Sequence, residues 1–286
     1  MLRAVVDHHV SSAAPVGSSV LARHYVANVS PATIRNELGA LETQELLFQP
    51  YTSAGRLPTQ AGYRRVVDDI LQRPALSRLA HSAQANYPNP ELHLALRKFS
   101  ALGSSLLLAE LFRAVVMHLA AATNNLALMS VPRASAYGST VAGSRTDKHL
   151  YYNGLANLLR QPEFLKPSFA TAARTGSELP SVVKSTADSV DGLNSNDGRQ
   201  ESFACLVGML ENEARLIEVL EICSHDNRVL VSIGDENCDL GLSDLSLITS
   251  RYRGGVVAVI GPTRMNYREA ISAVSTAAHT LDDILE

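Results

Sequence analysis

VSPATIRNELGALETQELLFQPYTSAGR, Val29 to Arg56, decides how the chain is read, because it has the pattern of a recognition helix followed by a wing. Ser30 offers a side-chain oxygen suited to an N-cap. Pro31 suits the first helical position, where its missing N–H would have no partner in any case. Ile34, Leu38 and Leu41 recur at helical spacing, so one stripe is buried, while Ala32, Arg35, Asn36 and Gly39 turn outward with Thr33 at the edge. A small polar face of this kind fits a major groove: asparagine can bond adenine bidentately, arginine can bond guanine, and small residues let a helix approach base edges.

The flanks complete the pattern. Leu2, Val5, Val6, His9 and Val10 share a face, predicting a first helix that ends before Pro15. Ser18 or Ser19 caps a short second helix carrying Val20, Leu21 and Tyr25, and Ala27 and Asn28 lead tightly to Ser30. Helix, short helix, turn, helix is the helix-turn-helix order. Downstream, Leu46 to Phe48 suits a short strand, Tyr51 to Arg56 a loop with Gly55, and Leu57 the return before Pro58. In this wing the hydroxyls of Thr52 and Ser53 suit phosphates, and Arg56 brings charge for the backbone or a minor groove. Thr59 then caps a helix with Tyr63, Val66, Val67 and Ile70 inward and Arg64 and Arg65 outside. A protein-binding winged helix has the same local pattern, since the fold does not dictate the partner.

With 286 residues the chain has room for two or three domains, and its net charge of -3 gives no global attraction to nucleic acid. Attraction must be local: residues 1–67 hold six arginines (Arg3, Arg23, Arg35, Arg56, Arg64, Arg65) against four acids (Asp7, Glu37, Glu42, Glu45). Cys205, Cys223 and Cys238 are an odd set without C-x-x-C spacing, which argues against a disulfide framework or zinc site and for a reducing cytoplasm. No secretory signal is expected at Met1. The longest apolar run, Leu106 to Ala122, is broken by Glu110, Arg113 and His118, so no membrane span is expected.

Pro74, Pro88 and Pro90 mark a linker, giving a DNA-binding domain over 1–73 and a linker over 74–90. Residues 91–133 read as a long amphipathic helix, kinked near Gly103, followed by a buried strand from Leu126 to Val131. Residues 134–200 form a small, polar middle region that includes a short helix from Tyr151 to Phe164 and a partly disordered stretch from Lys166 to Gln200. Residues 201–286 give a helix from Phe203 to Ile222, strands at Val229 to Ile233, Leu245 to Tyr252 and Val256 to Ile260, and a last helix from Tyr267 to Leu285. Helices bracketing short strands make this an α+β sensor-like domain.

Particular phrases resemble one known family. PVGS (Pro15 to Ser18), VSPATIRNEL (Val29 to Leu38) and QPYTSAGRLPTQAGYRRVVD (Gln49 to Asp68) resemble the amino-terminal domain of the heat-inducible transcription repressor HrcA family. GLANLLRQPEF (Gly154 to Phe164), SIGDEN (Ser232 to Asn237), DLSLITSRY (Asp244 to Tyr252) and GPTRMNYREAI (Gly261 to Ile271) resemble its carboxy-terminal part. The chain is shorter than the family pattern between Arg133 and Tyr151, and the motifs give no counterpart for Pro167 to Glu201. The resemblance implies a winged helix followed by a GAF-like domain with a dimerising insert. It implies a homodimer on the inverted-repeat operator CIRCE upstream of chaperone genes, assisted by the chaperonin GroEL. Ser30, Thr33, Arg35 and Asn36 would then face bases or nearby phosphates, with Thr52, Ser53 and Arg56 on the backbone.

Other chemistry finds little support. The nine histidines are scattered, and the adjacent His8 and His9 point apart on a helix, so neither a metal nor a cofactor is expected. No nucleophile has a base near it in sequence, so an enzyme is not expected. GPTR is read either as a structural turn or as an anion site with Arg264 as clamp, and Asp235, Glu236 and Asn237 as a capped turn or a metal cluster. Two competing functions keep the same fold: a regulator that binds a small molecule near Arg264, and an interaction protein that has lost operator binding.

Overall fold

The computed structural model describes residues 1–25, 29–72, 105–132, 148–165, 204–224 and 229–285. The expected linker, the first part of the expected long helix and most of the middle region lie outside the described residues.

The amino-terminal unit is built by local chemistry. Helix α1 (Leu2–Ser12) ends where Ala13 turns left-handed at φ 51°. Helix α2 (Ser18–His24) starts after Gly17 rather than a serine cap, and Tyr25 at its end is exposed. Helix α3 (Pro31–Thr43) begins with the Ser30 Oγ accepting the Thr33 N–H at 3.1 Å. Strands β1 (Leu47–Phe48) and β2 (Leu57–Pro58) pair antiparallel, with Leu47 opposite Pro58. The Thr59 hydroxyl caps α4 (Gln60–Leu71), accepting from the Gly62 N–H at 3.0 Å. Val5, Val16, Leu21, Ile34, Leu38 and Leu47 form the core that these pieces enclose.

The rest is a five-stranded antiparallel sheet with helices on both faces, so the fold is α+β. Its elements are α5 (Ser105–Thr123), β3 (Leu126–Pro132), β4 (Lys148–Asn153), α6 (Leu155–Leu159), α7 (Pro162–Leu165), helical residues 204–211, α8 (Glu213–Ile222), β5 (Leu230–Ile233), a 3-10 turn (Gly234–Leu240), β6 (Leu245–Tyr252), β7 (Gly255–Pro262) and α9 (Tyr267–Ile284). The strand order is β4-β3-β7-β6-β5. Alternation along each strand supplies two cores. Ala127, Met129, Val131, Ile248, Val257 and Val259 face α5 and α9, whereas Leu126, Leu128, Leu247, Ala258 and Ile260 face α8 and residues 204–211. Burial on both faces explains why LALMSV and GVVAVI read as unbroken apolar runs.

Two expectations need correction. Tyr151 to Phe164 is not one helix: residues Lys148–Asn153 pair with β3 as the sheet's edge, and Gly154, at φ +93°, turns the chain into α6. A Cβ at Gly154 would lie 2.3 Å from the Asn125 carbonyl oxygen, so the turn needs glycine. The expected helix from Phe203 to Ile222 breaks at Asn212, whose side chain caps α8 by accepting the Arg215 N–H at 3.3 Å.

Candidate nucleic-acid interface

Helix α3 presents the surface that its sequence pattern implies. Ile34 and Leu38 are buried, while Ala32, Thr33, Arg35 and Asn36 are exposed and Gly39 is half-buried. Arg35 and Asn36 therefore share the free side of a helix whose opposite side is anchored. Ser30 is exposed as well, but its Oγ lies 2.9 Å from the Thr33 Oγ1 and also caps the helix, so these two hydroxyls are already partnered.

The hairpin is braced at its root. Gln49 Nε2 donates to the carbonyls of Thr52 (2.8 Å) and Ala54 (2.9 Å), which holds the loop while the Thr52 and Ser53 side chains stay exposed. Arg56 exchanges both backbone hydrogen bonds with Val16 at 2.9 Å, tying the hairpin to the segment between α1 and α2. A Cβ on Gly55 would lie 2.4 Å from the Val16 carbonyl carbon, so only glycine allows this approach. The Arg56 guanidinium is not loose: its Nε stands 2.8 Å from a carboxylate oxygen of Glu42, in the last turn of α3. Phe48 and Tyr51 are exposed aromatics on the same hairpin.

Arg64, expected to lie free on the outside, faces the sheet instead. Its Nε donates to Glu236 at 2.7 Å, its Nη2 pairs with the other oxygen of that carboxylate and donates to the Val231 carbonyl at 2.7 Å. Burial opposes its charge, but the Glu236 carboxylate and then Asp68 outweigh this and raise its pKa. Gln60 accepts the Asp235 N–H at 2.8 Å beside it. Asp235, Glu236 and Asn237 thus lie in a 3-10 turn that receives α4, and among the described residues no group of His, Cys, Asp and Glu is placed to hold a metal.

A second arginine closes the same junction. Arg264 pairs with the Glu163 carboxylate, donates to the Val10 carbonyl of α1 and reaches Gln161 Oε1 at 3.5 Å. The anion that GPTR clamps is therefore a side chain of the protein itself. Between the two arginines stand Tyr63 and Tyr267, with ring centroids 5.8 Å apart, and the Nδ1 of His9, 2.6 Å from the Tyr63 hydroxyl. Burial, then the charge of Arg264, lowers the pKa of His9 to about 4. Burial likewise pushes both tyrosines upward. Val6, Tyr63, Val66, Val67 and Ile70 join the core beneath α5 and α9, so the two units share one apolar cluster. The sequence pattern missed Glu42, Gln60, Glu163 and Glu236 as partners; only Glu42 had a local signal, an acid at the end of α3 within reach of the arginine that closes the hairpin.

The family profile described as the HrcA protein C terminal domain matches residues 169–271, beginning inside the stretch for which the motifs gave no counterpart. Proteins named heat-inducible transcription repressor HrcA align along the whole chain. The one from Clavibacter michiganensis is 30% identical and covers 100% of this chain and 97% of its own. The one from Arthrobacter sp. is 31% identical, with the same coverage of 100% and 97%. A crystal structure described as a hypothetical protein shares the fold at a TM-score of 0.60 and 16% identity, covering 99% of this chain and 95% of that one. Among the described residues no helix is long and apolar enough to cross a membrane.

Proposed function

The chain belongs to the family of heat-inducible transcription repressors HrcA, and from that premise we propose that it binds an inverted-repeat operator of the CIRCE type as a homodimer. Members of this family repress transcription in the heat-shock response, and repression is not enzymatic work. On this reading residues 1–73 act as a winged-helix DNA-binding domain, and the sheet with its helices as a GAF-like regulatory domain. The observation that carries the proposal is the exposed Ala32, Thr33, Arg35 and Asn36 face on a helix anchored by Ile34 and Leu38.

Each protomer would lay α3 in a major groove, with half-sites about one helical turn (~34 Å) or a multiple of it apart. Arg35 and Asn36 read base edges; Ser30 and Thr33, at the α3 amino terminus, meet bases or nearby phosphates. Thr52 and Ser53 hold the backbone from the hairpin loop, and Arg56 adds a charge there. The chaperonin GroEL is proposed as the partner that brings the repressor to its active form. The test is a titration of the full chain with a CIRCE duplex at several salt concentrations, with mass measured in parallel. Dimeric retention that weakens with salt, and a shallower salt dependence in Arg56→Ala, support the proposal. A folded protein that ignores this duplex refutes it.

A further inference from the structure

Building on that reading, we infer that Glu42 is a positioning residue for operator binding: it orients Arg56 so that the terminal nitrogens of the guanidinium meet a DNA phosphate. Three observations lead there. First, the main chain of Arg56 cannot swing, because both of its backbone hydrogen bonds go to Val16 and Gly55 lies directly against the Val16 backbone. What remains to be chosen is the direction of the side chain, and Glu42 is the charged group beside it, 2.8 Å from Nε.

Second, the contact engages the inner end of the guanidinium. Nε is shielded from solvent and faces Glu42 as an ion pair without a well-aligned hydrogen bond. No hydrogen bond joins the Nη nitrogens to another of the described residues, and the side chain keeps 17% of its surface exposed. A guanidinium held by its Nε still offers its outer fork, the geometry that a phosphate takes up bidentately.

Third, Glu42 is otherwise badly placed. It lies in the last turn of α3, where the helix dipole disfavours a carboxylate, and it is 35% exposed. Its position makes sense through Arg56. The carboxylate belongs to the helix that would read bases and the arginine to the hairpin that would hold the backbone, so a single ion pair joins the two halves of the surface. An arginine already restrained in the bound direction loses less freedom on meeting phosphate, which favours affinity. The opposite possibility is that Glu42 competes with phosphate for Arg56, and the two differ in sign.

The experiment is a CIRCE-duplex titration with the full chain as wild type, Glu42→Gln, Glu42→Ala, Arg56→Ala and the Glu42→Ala/Arg56→Ala double variant, each checked for an unchanged thermal transition. We expect Glu42→Ala to weaken binding by about five- to tenfold and Glu42→Gln, which keeps an acceptor oxygen, by about two- to threefold. In the Arg56→Ala background, the further loss from Glu42→Ala should vanish. Tighter binding by Glu42→Ala overturns the inference in favour of competition, and losses that multiply in the double variant overturn it in favour of independent roles. An unaffected Arg56→Ala removes the phosphate contact while leaving operator binding intact. A wild type that is folded yet does not bind the duplex defeats the functional reading itself.

Discussion

Replacing Arg264 by methionine tests whether the two units of the chain are held as one body. The arginine is 11% exposed and its partner Glu163 is 19% exposed. Its guanidinium engages both oxygens of that carboxylate and the carbonyl of Val10 in α1. Methionine fills similar space without charge, so the variant leaves a half-buried carboxylate and a main-chain acceptor without their donor. Breaking a buried pair costs about 3 to 5 kcal/mol and an exposed pair about 0 to 1 kcal/mol. The residual exposure puts this pair between the two, at about 2 to 3 kcal/mol. Denaturant unfolding followed by circular dichroism measures the loss, and hydrogen exchange shows whether α1 loses protection first. Adding Glu163→Gln should restore part of the stability, since no charge is then left unpaired. His9 gives an independent reading: Arg264 helps to hold its pKa down to about 4, so in Arg264→Met the imidazole should titrate higher by NMR. A stability change below about 0.5 kcal/mol, with the His9 titration unmoved, would refute the clamp.

Other substitutions probe the remaining links. His9 is held neutral with a pKa of about 4 against the usual 6.5, so between those values the unfolded chain takes a proton that the folded chain refuses. Stability should therefore fall as pH drops through that window, by up to ~3 kcal/mol, and level off below it. Glu163, Arg264, His8 and Tyr63 surround the imidazole, and His9→Phe should flatten the slope of stability against pH; an unchanged slope assigns it to another group. Asn36→Ala should cost about 1 to 3 kcal/mol at one operator base only, and a uniform loss across a panel of operator variants would make Asn36 a phosphate contact. Gly55→Ala places a Cβ 2.4 Å from the Val16 backbone, so it should displace the hairpin and lower the melting temperature; a neutral result would mean that the hairpin root yields freely.

What the sequence made legible was local. The caps at Ser30 and Thr59 are visible because a hydroxyl bonds an N–H three residues on, and the inward face of α4 because its spacing matches one helical stripe. Strands β3 and β7 were legible as apolar runs buried on both sides, and β6, LSLITSRY, as a stretch rich in apolar, β-branched and aromatic residues. Strand β4 was not: it buries only Leu150 fully, so its alternation is faint, and the helical pattern of GLANLL obscured the strand ahead of it. The fates of Arg64 and Arg264 were invisible for another reason. Their carboxylates lie 172 and 101 positions away: Arg64, on an outward helical position, looks solvated, and the GPTR turn does not say which anion Arg264 would meet, until the second surface is known. On α3 the exposed face was legible, whereas the hold of Glu42 on Arg56 needed the hairpin to be folded back.

The junction also ties the exposed face of α3 to the sheet. Helix α1 places adjacent valines in different cores: Val5 packs with Ile34 and Leu38 of α3, and Val6 with Tyr63, Tyr267 and the residues beneath α9. Helix α4 makes a parallel connection, since Gly62 lies against the Leu46 carbonyl at the start of the hairpin while Arg64 lies on Glu236. Any loosening of α9 therefore removes packing from α1 and α4, which are the supports of α3 and the hairpin. Packing free energies of this kind decline together as temperature rises above the stability maximum. Warming that weakens the cluster shared by α1, α4 and α9 therefore loosens the sheet's cover and the two helices that hold α3 and the hairpin at the same time.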